Sequence, residues 1–120
     1  MMKKTLVVGA SPKADRYSNI ATNMLAEYGH EVYPFGMKEG TIQSHSIKTN
    51  WPTGENFDTV TLYLNPINQL PYQEKILALK PKRVVFNPGT ENPAFEAVLE
   101  AAGIEALEAC TLVLLRTQQY

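Results

Sequence analysis

Ser11, Lys13, Arg16 and Ser18 follow one another closely, just after Gly9-Ala10 and the apolar run Thr5-Leu6-Val7-Val8. Hydroxyls, cations and small residues in that order suit the holding of a phosphate. The run is rich in β-branched residues and reads as a buried strand. Gly9-Ala10-Ser11-Pro12 breaks it, with Gly9 free to turn the backbone sharply. Ser18 is expected to N-cap a helix that carries Ile20, Met24, Leu25 and Tyr28 inward. A strand, a loop of small residues and a helix start make an anion site, because the first N–H groups of a helix are unpaired and its dipole is positive there. From this segment alone, ordinary turn chemistry explains Ser11 equally well, and Lys13 and Arg16 also fit a solvated surface.

Other candidates are weaker. The dinucleotide fingerprint G-x-G-x-x-G is absent, since the glycine after Gly9 is Gly29. The acid that would hold an adenosine ribose is also missing: that position reads Phe35-Gly36-Met37-Lys38. Lys38 instead places positive charge where an additional phosphate can sit. His30 and His45 have no carboxylate, cysteine or second histidine at ligand spacing and read as surface residues. Cys110 reads as a small buried hydrophobe, with a thiol facing a crevice as the sharper alternative. Trp51 and Tyr63 suit either packing or stacking on a base. Lys80-Pro81-Lys82-Arg83 reads as a solvated helix end. No Ser/His/Asp set, paired carboxylates or P-loop can be assembled.

The elements that would position these residues run in a regular order. Gly29 closes the first helix, and Glu31–Phe35 is a second strand, parallel to the first because a helix joins them. Residues 36–57 are irregular, enclosing a short edge strand near Ile42–Ile47. Thr59–Leu64 is a buried strand entered by Asp58. Asn65, Pro66, Ile67 and Asn68 form a loop, and Pro71 opens a helix with Tyr72, Ile76 and Leu79 on one face. Arg83–Phe86 is the next strand, and Asn87–Glu91, which includes Gly89, is another loop. Asn92 caps a helix started by Pro93, with Phe95, Val98, Leu99 and Ala102 inward and Gly103 at its end. Ile104–Leu107 is a last strand, and Cys110–Arg116 fits strand or helix.

This order predicts an α/β fold: a doubly wound, mainly parallel five-stranded sheet with helices on both faces and Thr5–Val8 at its centre. The chain reverses between that strand and Thr59–Leu64, so a ligand crevice is expected at their C-terminal ends. Four loops converge there: Gly9–Ser18, Phe35–Lys38, Asn65–Asn68 and Asn87–Glu91. The chain's 120 residues suit one domain. A net charge of −1 gives no electrostatic reason to expect nucleic acid or a membrane as partner. The apolar run after Lys3-Lys4 is too short for a signal sequence, and one cysteine excludes an intrachain disulfide, so a cytoplasmic location is expected.

Val7-Val8-Gly9-Ala10-Ser11-Pro12 followed by Gly29-His30-Glu31-Val32-Tyr33-Pro34 resembles the small stand-alone CoA-binding proteins of bacteria. These are similar to the CoA-binding domain of the succinyl-CoA synthetase α subunit. Asp58-Thr59-Val60, Gly89, Gly103-Ile104 and Cys110 add to the resemblance along nearly the whole chain. It implies one Rossmann-type domain over residues 1–120 that binds coenzyme A or an acyl-CoA without ligase chemistry. The Gly9–Ser18 loop, with Ala10, Pro12, Lys13 and Arg16, would grip the phosphates. The ends of the second and fourth strands would meet the adenosine, which brings in Phe35, Lys38, Tyr63, Asn65 and Pro66, with Asn87 and Gly89 on the next loop. Where the family often has Pro-Val-Asn-Pro, this chain has Pro34-Phe35-Gly36-Met37. An NAD(P)-binding redox enzyme or sensor and an interaction module are the competing readings. The expected partner is a small nucleotide ligand, and the chain is expected to be a monomer or homodimer.

Overall fold

In a computed structural model, which describes residues 2–120, Thr5–Val8 (β1) is fully buried along its length. The reason is topological. It pairs in parallel with Val32–Phe35 (β2) on one edge and with Thr59–Leu62 (β5) on the other. Arg83–Phe86 (β6) and Glu105–Glu108 (β7) extend the sheet, again in parallel, giving the order β2-β1-β5-β6-β7, so β5 is the middle strand and β1, expected there, lies second from the edge. The fold is α/β and Rossmann-like, with the reversal of winding between β1 and β5. Pro34 lies on the outermost strand, where a residue without an N–H is tolerated.

Alternate residues of each strand face opposite layers. Leu6, Val8, Val60, Leu62, Val84 and Phe86 form one core with Ile76 of Gln73–Leu79 (α3) and with Phe95 and Leu99 of Pro93–Ala101 (α4). On the opposite face Val7 packs with Leu25 of Tyr17–Glu27 (α1) and Leu115 of Thr111–Arg116 (α5). That second face is partly polar. Thr5, Thr59, Thr61 and Arg83 are all buried in its strands.

Several expectations are corrected. The first helix starts at Tyr17, with Arg16 as a cap residue that makes no side-chain cap bond, so Ser18 lies inside the first turn. Its buried face is Ser18, Ala21, Thr22 and Leu25, while Tyr28 is exposed and Ile20 and Met24 are half-buried. The edge strand near Ile42 is a small separate hairpin, Thr41–Ile42 (β3) with His45–Ser46 (β4). Pro66–Gln69 (α2), expected to be loop, is a helical turn because the Asn65 side chain accepts from the Asn68 N–H at 2.9 Å. A 3-10 turn, Leu70–Tyr72, joins it to α3.

On α4, Val98 and Ala102 face outward, leaving Phe95 and Leu99 inside. Arg83 is buried rather than solvated. It donates to Thr59 Oγ1 at 2.9 Å and to the Tyr120 carbonyl at 3.0 Å, with the Tyr120 ring 4.4 Å from its guanidinium carbon. His30 is half-buried, its Nδ1 accepting from the Lys3 N–H at 2.9 Å, and burial pushes its pKa down.

Candidate functional site

Past the C-terminal ends of β1 and β5 the chain turns in opposite directions, and a crevice of about 230 Å³ opens there. Gly9, Ser11, Arg16, Tyr17 and Ser18 line one side, and Tyr63, Asn65, Pro88, Gly89 and Thr90 the other. Gly9 has a φ of 99°, and a β-carbon on it would lie 3.2 Å from the Tyr63 backbone. Only glycine lets the two strand ends pass so closely without strain.

The loop after Gly9 is anchored. Gly9 and Ala10 N–H groups both donate to the Phe35 carbonyl, at 3.0 and 2.9 Å. Gly36 lies so tightly beneath that a side chain there would run into the Ala10 carbonyl. Asn19, buried on α1, donates to the Ser11 carbonyl at 2.9 Å, and Ser11 Oγ accepts from the Lys13 N–H at 3.2 Å. These bonds present the start of α1 to the crevice with no side-chain cap and no acid in its first turn. Arg16 is the charged residue of the lining. The arrangement therefore offers unpaired N–H groups, a positive dipole end and a guanidinium, which together suit an anion.

A second compartment of about 280 Å³ adjoins the crevice and shares Tyr17, Tyr63 and Pro88 with it. Leu112, Val113, Cys110 and Arg116 complete its walls together with Asn87. Asn87 is itself part of a buried network. Its amide donates to Thr61 Oγ1 at 2.7 Å and to the Leu62 carbonyl at 2.9 Å, and its carbonyl accepts from the Thr111 N–H at 2.8 Å. Thr61 and Thr111 share a hydroxyl hydrogen bond of 2.8 Å. Both hydroxyls lie beside the buried Tyr63 phenol oxygen, which makes no well-aligned hydrogen bond among the described residues. Burial pushes the Tyr63 pKa strongly up, so it stays protonated.

Of the residues singled out from sequence, Gly9, Ser11, Arg16, Ser18, Tyr63, Asn65 and Gly89 come together in the crevice. Ala10 is buried behind it, and Pro66 starts α2 behind Asn65. Pro12 and Lys13 are exposed on the loop, Pro12 packing toward Gly40. Lys38 is exposed on the loop after β2, outside the crevice lining. Phe35 is 5% exposed, its ring wedged edge-on against Trp51 and Tyr72, so its side chain belongs to the core. Trp51 stacks on Tyr72 at 5.5 Å. Cys110 is half-buried and lines the compartment beside the crevice, nearer the crevice-facing thiol than the buried hydrophobe of the two readings. Three lining residues, Tyr17, Pro88 and Thr90, are not among the sequence candidates, although Tyr17 lies within Gly9–Ser18 and the other two within Asn87–Glu91, segments that topology marks.

A family model described as CoA binding domain matches residues 3–116. Among solved structures, one described as an uncharacterized protein is 48% identical, with a TM-score of 0.97, covering 100% of this chain and 99% of that one. A hypothetical protein from Pyrococcus horikoshii OT3 is 26% identical, with a TM-score of 0.86 over 98% of this chain and 84% of that one. A domain of the dinucleotide-forming acetyl-coenzyme A synthetase 1 of Ca. Korarchaeum cryptofilum, in complex with phosphate and ADP, shares the fold. It is 16% identical, with a TM-score of 0.70 over 90% of this chain and 26% of that one. A search of curated proteins gave no match.

Proposed function

Since this chain belongs to the CoA-binding domain family, we propose that it binds coenzyme A or an acyl-CoA in the crevice between β1 and β5. The observation that carries the reading is the uncapped start of α1, held open beside Gly9 with Arg16 at its edge. The pyrophosphate sits against the Gly9–Arg16 loop and the first turn of α1. Residues 1–120 act as one binding domain without ligase chemistry of its own. In support, the described residues that line the crevice include no aspartate, glutamate or histidine to move a proton.

CoA differs from NAD in its ribose 3′-phosphate. The loop after β2 offers Lys38 for that phosphate, with Glu39 next to it, and Gly36-Met37 at the strand's end supply no acid for the free ribose hydroxyls of NAD. Calorimetry with CoA, dephospho-CoA and NAD is the test. CoA is expected to bind tightest, with dephospho-CoA weaker by about tenfold, the size of one charge-assisted hydrogen bond. Arg16→Ala should weaken both CoA and dephospho-CoA, and Lys38→Ala should weaken CoA alone. NAD binding as tightly as CoA overturns the reading. An unchanged Lys38→Ala variant leaves the ligand standing and removes Lys38 from the site.

A further inference from the structure

The compartment beside the phosphate crevice has different chemistry. Leu112, Val113, Pro88 and the rings of Tyr17 and Tyr63 make its walls mostly apolar, with Arg116 as the charged residue of the lining. It adjoins the crevice, sharing Tyr17, Tyr63 and Pro88 with it, so a chain leaving the Gly9 loop across the end of β5 runs toward it. We propose that this compartment receives the acyl end of a short-chain acyl thioester, so that the protein prefers acyl-CoA to free CoA. This rests on the CoA reading above.

Size and polarity both fit. About 280 Å³, at roughly 30 Å³ for each water-sized group, leaves room for about nine non-hydrogen atoms. A thioester and a chain of four to six carbons fill that space, and a long fatty acyl chain overflows it. The phenol of Tyr63 is a buried polar group in the shared wall with no partner among the described residues. Its oxygen is turned away from the compartment, beside the Thr61 and Thr111 hydroxyls, so the ring is the part of Tyr63 offered to an acyl chain. Cys110 lies in the same wall and serves as a built-in reporter of occupancy.

The test compares CoA with butyryl-, hexanoyl- and palmitoyl-CoA by calorimetry, and follows iodoacetamide alkylation of Cys110 with each at saturation. A fully buried methylene is worth about fourfold in affinity. Butyryl-CoA is therefore expected to bind about tenfold tighter than CoA or better, hexanoyl-CoA at least as tightly, and palmitoyl-CoA with no further gain. Saturating butyryl-CoA should slow Cys110 alkylation about tenfold more than saturating CoA does. Val113→Trp, on a half-exposed helix position, narrows the compartment and should bring the butyryl-to-CoA affinity ratio down toward one. If CoA binds but butyryl-CoA gains nothing and Cys110 reacts equally fast with both, the acyl compartment is wrong and CoA binding stands. If neither binds, both readings fall together.

Discussion

At the scale of single residues, the crevice depends on groups whose replacement has opposite signs. Gly9→Ala adds a methyl at a φ of 99°, against Tyr63 backbone and the Leu64 side chain at 3.2 and 3.1 Å. It should cost about 1–3 kcal/mol, seen as a lower urea midpoint, and an unmoved midpoint would show that the turn relaxes freely. Asn87→Ala removes two donated bonds and strips the Thr111 N–H of its acceptor, all in a buried network. A loss of about 2–4 kcal/mol is expected, since bare buried polar groups are left behind. Tyr63→Phe does the reverse. It deletes a buried hydroxyl with no partner, so stability at neutral pH should hold or rise by up to about 1 kcal/mol. A clear loss would mean that the hydroxyl is satisfied in solution.

At the scale of elements, α1 owes its closeness to the sheet to a buried face of Ser18, Ala21 and Thr22 above Leu25. Ala21→Leu should overpack that seam and cost about 1–3 kcal/mol by thermal or urea unfolding. The strands and their order were legible because β1, β5 and β6 are buried on both faces and so are nearly continuous apolar or β-branched runs. Helix faces were harder. Leu25 and Ile76 obey the apolar periodicity, but α1 buries Ser18 and Thr22 in preference to Tyr28, and α4 needs only Phe95 and Leu99 against the sheet. The short tail, ambiguous by length, is helix because Asn87 accepts from Thr111 where α5 begins. That bond joins residues 24 apart in sequence, beyond the reach of any local pattern. Three of the four expected crevice loops followed from topology, while Phe35–Lys38 does not line the crevice. The burial of Phe35 did not follow, since Trp51 and Tyr72 reach it from distant segments.

For the whole molecule, pH should erode stability from both sides. Burial raises the pKa of Tyr63, and of Tyr120 as well. The native state keeps these protons where the unfolded chain, with tyrosines near 10, releases them. Their stabilising contribution is complete below pH 10 and is lost as pH rises above it, and Tyr63→Phe should make that alkaline decline shallower. His30 works the other way, because its lowered pKa makes the native state refuse a proton that the unfolded chain accepts below about pH 6.5. Melting temperatures of wild type, Tyr63→Phe and His30→Gln across this range check both signs. The sheet order has a further consequence, in time rather than space. No two neighbouring strands of the main sheet are joined by a hairpin, and β1, an interior strand and the first of the five in sequence, takes its second partner only from residues 59–62. A ribosome must therefore release half the chain before Leu6-Val7-Val8 can be shielded on both edges. Throughout that interval an adhesive segment is exposed to other nascent chains, and Lys3 and Lys4, directly before it, are the charges that hold them apart.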